Sequence, residues 1–194
     1  MQNILFIGNS YTYYNDMPEQ IFAKMAAEAG HPFEVTKITH GGYKLSQYAN
    51  PQDEEGIRLR QAIKDKHFDY VVLQDHSCRA VVDKEDFFCG IRDLKALLQE
   101  QTDHFVLYAT WGRKKGSQTL EELHLTCAEM TEKLYSAYTE AGEMFDMKVA
   151  HVGKAFAKCA AEHPETELFN PDLSHPSLEG SKLAAKTILA TILS

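Results

Sequence analysis

No apolar stretch in this chain approaches the roughly 18–20 residues that a membrane-spanning helix needs. Its N-terminus enters an apolar run directly, without a charged segment, a long apolar region or a small-residue cleavage site. The sequence therefore reads as a cytoplasmic protein with no membrane partner. Cysteine is scarce. Cys78, Cys89, Cys127 and Cys159 show neither Cys-x-x-Cys spacing nor the Cys/His pairing of zinc sites, so they read as free thiols, with no metal expected. Basic runs are missing too. Arg113-Lys114-Lys115 is too short to offset a net charge of −8, and the balance disfavours nucleic acid as a partner.

Several signatures of chemistry are absent as well. There is no Gly-x-Gly-x-x-Gly after the first apolar run, so a dinucleotide fold has no fingerprint here. A nucleotide-binding Gly-x4-Gly-Lys-Ser/Thr is also missing. The Gly-x-Ser-x-Gly elbow of α/β-hydrolases fails at its last position, where Gly8-Asn9-Ser10-Tyr11 is followed by Thr12. Internal repeats, low-complexity segments and linkers are not found. With 194 residues, 44% of them hydrophobic and 25% charged, the chain reads as one domain spanning 1–194 with a full core.

What is present is an alternation of strands and helices. Ile4-Leu5-Phe6-Ile7, Phe68 to Leu73 and Phe105 to Ala109 are buried-type strands, and Met147 to Val152 is a shorter one. Phe33 to Thr39 alternates apolar and polar, which fits a half-buried strand nearer a sheet edge. Helical spacing links Ile21, Phe22, Met25, Ala26 and Ala29. It recurs from about Asp83 to Gln101 and in a long helix from Leu120 through Tyr138. A further helix is expected at Lys154 to Glu162, and a last one after Pro176. Such alternation predicts an α/β fold: a parallel sheet of about five strands in flavodoxin-like order, layered between helices as an αβα sandwich.

Polar residues gather at the predicted strand ends, where an open α/β sheet binds its ligands. Ser10 follows the first strand in a turn that leads to a helix begun by Asp16 and Pro18. His40-Gly41-Gly42 follows the second strand, and Gln74-Asp75-His76-Ser77 the third. Trp111, after the fourth, is a candidate wall of a substrate pocket, while His40 and His76 lie near the same edge. Asp172 and His175 precede the final helix. Acyl transfer needs a hydroxyl nucleophile, an imidazole base, a carboxylate to orient it and donors for the oxyanion. The Asp-x-x-His spacing lets one short loop present both side chains, with His175 facing Ser10.

These residues resemble the conserved blocks of the SGNH, or GDSL-type, hydrolase superfamily. Its first block matches Gly8-Asn9-Ser10, the glycine of its second matches Gly41-Gly42, and its last matches Asp172-Leu173-Ser174-His175, all in family order. The resemblance implies a serine esterase with Ser10 as nucleophile, His175 as base and Asp172 as its partner. The Ser10 and Gly42 N–H groups and a side-chain amide would form the oxyanion hole. The third block departs from the family's Gly-x-Asn-Asp, since this chain has Leu73-Gln74-Asp75-His76; Gln74 is the expected amide donor. Small acyl esters are implied as substrates, with acetylated sugars among them and no cofactor required. Two alternatives share the layout: a ligand-binding protein without catalysis, and a receiver-type signalling domain using Asp75, Thr110 and Lys154.

Overall fold

The computed structural model describes all residues from 1 to 194. Its five strands are β1 (Gln2–Gly8), β2 (Phe33–Thr39), β3 (Phe68–Leu73), β4 (Thr102–Ala109) and β5 (Lys148–His151). They form one sheet in the order β2-β1-β3-β4-β5, with every neighbouring pair parallel. This is the flavodoxin-like order expected from the sequence, and the fold is α/β with helices on both faces.

The alternation of side chains along each strand divides the core in two. On one face Leu5, Ile7, Val71, Leu73 and Leu107 pack against α4 (Glu54–Ile63), α6 (Lys84–Leu98) and α8 (Cys127–Phe145). On the other, Ile4, Phe6, Val72, Val106 and Tyr108 meet a π-helical segment (Met17–Phe22), α9 (Val152–Glu162) and α10 (Leu178–Leu193). Burial on both faces explains why β1, β3 and β4 read as continuous apolar runs. β2 lies at the edge, where half-exposed residues are tolerated. No helix is long and apolar enough to cross a membrane.

Two local expectations are corrected. The long helix predicted from Leu120 is two helices, α7 (Gln118–Leu123) and α8, broken at His124 with a φ of +52°. Thr126 and Glu129 form a capping box that starts α8 afresh. The helix expected from Asp16 does start there, with Asp16 at its N-cap and Pro18 in its first turn, but Ser10, expected in a turn, begins a one-turn helix of its own, α1 (Ser10–Tyr13). Asp16 itself is left-handed, at a φ of +50°, and marks the kink between the two.

Candidate active site

The carboxyl ends of the strands carry the site, and β1 supplies its centre. The strand stops at Gly8, where a β-carbon would lie 2.5 Å from Thr12 Oγ1 and 2.7 Å from Gln74 Oε1. Only glycine leaves room for that approach. Asn9 then caps α1: its side-chain oxygen accepts from the Tyr11 N–H at 3.2 Å. Its amide nitrogen donates to the Tyr43 carbonyl at 2.9 Å, which ties the turn of Ser10 to the loop after β2. Ser10 is thereby held at the start of α1 with its side chain toward the final loop.

That loop is built around Asp172. Its Oδ1 accepts from the N–H groups of Ser174 and His175, both at 2.9 Å, in an Asx turn that closes the loop. Leu173, within the turn, takes a left-handed φ of +63°. Oδ2 lies 2.6 Å from His175 Nδ1, and His175 Nε2 lies 2.8 Å from Ser10 Oγ. Because the carboxylate accepts from Nδ1–H, the unprotonated Nε2 is the acceptor for the Ser10 hydroxyl. The ring is wedged between aromatics: Tyr14 stacks on it at 4.3 Å and Tyr11 meets it edge-on at 5.4 Å. Partial burial pushes the Asp172 carboxyl up, but hydrogen bonds from His175 and Ser174 outweigh it and hold the group below its ordinary value.

Gly42 has a φ of +74°, a conformation that glycine adopts without penalty, and it is exposed beside the Ser10 turn. The pairing of Gly8 with Thr39, and the Asn9–Tyr43 bond, bring the two loops together. Neither the Ser10 nor the Gly42 N–H donates to another turn, cap or side chain.

Gln74 does not join them, which corrects the expectation of an oxyanion donor there. It is only 1% exposed and sits behind the turn. Its Oε1 accepts from the Asn9 N–H at 3.0 Å and from Thr12 Oγ1 at 2.7 Å, while Nε2 donates to the Asp75 carbonyl. The orientation is fixed by the Asn9 N–H, which can only donate. Trp111 is also corrected. It is 1% exposed and stacked between Tyr11 at 4.8 Å and Phe156 at 4.1 Å, so it cannot wall an open pocket. Its Nε1 instead donates to the Ser174 carbonyl at 3.1 Å, bracing the loop that carries His175.

The two other histidines diverge. His40 turns to Glu55 at 3.2 Å and packs on Tyr43. His76 is half-buried after β3; burial first, then Arg113, Lys44 and Arg79, depress its pKa. Asp75, which a receiver domain would phosphorylate, is wholly buried, with Oδ1 accepting from the Leu45 and His76 N–H groups. Burial pushes its pKa up to about 7, even against those bonds. Composition and spacing gave no sign of Arg113, which reaches from the end of β4 to both Ser174 and Ser77. Tyr14 was also missed, because nothing in the sequence says which ring covers the imidazole.

No protein-family model matches the chain, and no curated protein does. Solved structures do match. A candidate SGNH hydrolase from Slackia heliotrinireducens superposes with a TM-score of 0.84 at 26% identity, covering 98% of both chains. A DUF4886 family protein from Bacteroides uniformis gives 0.81 at 18% identity, over 98% of this chain and 82% of its own. Axe2, an acetylxylan esterase from Geobacillus stearothermophilus, gives 0.67 at 15% identity, over 98% and 94%. The resemblance first carried by three short sequence blocks thus extends over the whole architecture, and the fold of this chain is that of the SGNH, or GDSL-type, hydrolase superfamily.

Proposed function

We propose that the chain is a serine esterase acting on small acyl esters. The observation that carries the reading is the contact of His175 Nε2 with Ser10 Oγ at 2.8 Å, with Asp172 behind the ring at 2.6 Å. In the proposed reaction, Ser10 attacks the ester carbonyl carbon as His175 takes its proton. The Ser10 and Gly42 N–H groups receive the developing oxyanion. Collapse of the tetrahedral intermediate expels the alcohol, which receives the proton from His175 and leaves an acyl-Ser10. Water deprotonated by His175 then attacks that acyl group, and the acid departs as Ser10 recovers its proton. Asp172 keeps Nδ1 protonated and stabilises the imidazolium through both steps. The steps require no metal or organic cofactor.

An acetyl group is the proposed acyl part, and an acetylated sugar one class of natural substrate. The likeness to the fold of an acetylxylan esterase supports this choice. The test is hydrolysis of short-chain aryl acetates by the wild type, Ser10→Ala and His175→Ala. Each substitution is expected to lower kcat by several powers of ten, on the order of 10⁴ to 10⁶, because the members of a triad act as a unit. A fluorophosphonate should label Ser10 in the wild type alone. Wild-type rates in both variants would sink the assignment, and a folded wild type that never labels would instead favour a ligand-binding role.

A further inference from the structure

Arg113 is a cation without a counter-charge, and it sits beside the His175 loop. Its Nη1 donates to Ser174 Oγ, and its Nη2 donates to Ser77 Oγ at 2.8 Å. Both serines are buried. The Ser174 hydroxyl is also 2.7 Å from Tyr11 Oη, and the guanidinium carbon lies 5.8 Å from the centre of the Tyr11 ring. The same ring is 5.4 Å from that of His175. Arg113 Nε is buried and has no acceptor at all. Every partner is therefore a neutral group, and no carboxylate answers the charge.

Of the other arginines only Arg60 also lacks a carboxylate, and its guanidinium is taken up by the Tyr48, Ala49 and Gly56 carbonyls. Arg79, close by, is matched by Asp83 at 2.7 Å and Asp86 at 2.5 Å, and 28 acidic residues were available to the chain. A guanidinium drawn partly out of water is costly when it is unpaired, and it binds best to a planar carboxylate. Lys44, after the Gly42 turn, also forms no ion pair, and with Arg113 it bears on His76. Positive charge thus gathers around His76 at the end of β3, while Asp53, Glu54 and Glu55 act on Tyr43 beside the Gly42 turn.

We propose that Arg113 recognises a carboxylate on the substrate, so that the preferred ester is an acetyl ester of a carboxylate-bearing alcohol. The proposal rests on the esterase reading above and refines its substrate class. Its test compares 4-acetoxybenzoate with methyl 4-acetoxybenzoate, a neutral relative with the same acetyl group. Wild type should favour the anionic ester in kcat/KM. Arg113→Met should lose roughly 10- to 100-fold more on the anion than on the neutral ester, the range expected for a charged hydrogen-bonded pair. Arg113→Lys should fall between, since it keeps the charge and loses the fork.

Equal losses on the two esters would overturn the proposal, leaving Arg113 as a brace for Ser174 and the esterase reading intact. Turnover of neither ester by wild type would sink both. A measurement on the wild type alone covers a variant that fails to fold. There, 4-hydroxybenzoate should inhibit turnover of the neutral ester at least tenfold more strongly than methyl 4-hydroxybenzoate, the low end of that range. Inhibition no stronger than that of the methyl ester would also overturn the proposal.

Discussion

Two aspartates stand at the carboxyl edge of one sheet, and their surroundings differ in every respect that matters to a carboxyl group. Asp172 is 43% exposed, and both of its oxygens are engaged by donors from its own loop. It stays ionised and passes its influence to His175. Asp75 is completely buried at the end of β3, with Oδ2 lacking any partner, and is pushed up to about 7. The difference follows from backbone geometry. A tight four-residue loop folds its own N–H groups and an imidazole around the first carboxylate. A strand end buried beneath α3 (Leu45–Ala49) and α8 can offer the second only two N–H groups, both to one oxygen. Whether a carboxyl group at this edge stays ionised therefore depends on its donors, not on its position alone.

The largest expected effect breaks the Asp172 side of this contrast. Asp172→Asn keeps the Asx turn through its oxygen but allows its amide to face Nδ1, which selects the wrong tautomer of His175. On the esterase reading, kcat should fall by roughly 10³- to 10⁴-fold, with thermal stability little changed. A loss below tenfold in aryl acetate hydrolysis would show that the imidazole is oriented mainly by Tyr14 and Tyr11. The second effect sharpens the Asp75 side. Its folded pKa of about 7 lies above the unfolded value of 3.8, so the folded state holds the proton more tightly. Its contribution to stability is whole below about pH 4 and is lost progressively as pH rises through 7. A shift of this size corresponds to a loss on the order of a few kcal/mol. Asp75→Asn cannot ionise, so urea unfolding should show wild type losing stability relative to the variant between pH 4 and 8. A constant difference across that range would mean that Asp75 ionises freely in the folded chain.

The same contrast explains how much of the molecule could be read beforehand. The parallel sheet and its layers were legible because β1, β3 and β4 are mostly apolar while β2 alternates, which is a property of composition along the chain; the order of the strands depends on crossovers that no such pattern records. Ser10, Asp172 and His175 stood out because short loops confine them: a glycine break before one, and a spacing of three between the others. The β3 end was not legible, because the role of Gln74 depends on which way a flexible side chain turns. Its single acceptor oxygen is taken by Asn9 and Thr12, from a loop more than sixty residues away in sequence. Trp111 failed for a related reason. Aromatic residues at strand ends line pockets or fill cores, and only the stacking of Tyr11 and Phe156 decides between them. His124 broke a helix whose apolar periodicity ran through it, since capping by Thr126 and Glu129 outweighed the pattern.

The smallest expected effect tests whether the β3 end supports the β1 turn or takes part in chemistry. Gln74→Met preserves volume and removes both the acceptor for Asn9 and Thr12 and the donor to the Asp75 carbonyl. Two buried donors would lose their partner, and such losses typically cost about 1–3 kcal/mol apiece, less where the turn can relax or Thr12 can rotate toward another acceptor. A net destabilisation of about 2 kcal/mol is expected, read as a lower Tm and a lower urea midpoint. Activity measured well below that Tm should change by less than about tenfold, the share of a 1.4 kcal/mol disturbance in the Ser10 turn. An oxyanion donor would behave in the opposite way. Its removal would cost roughly 10²- to 10³-fold in kcat and leave the unfolding curve nearly in place, because an amide that faces solvent holds little of the fold together. The ratio of the two losses, rather than either alone, separates a brace from a catalytic donor.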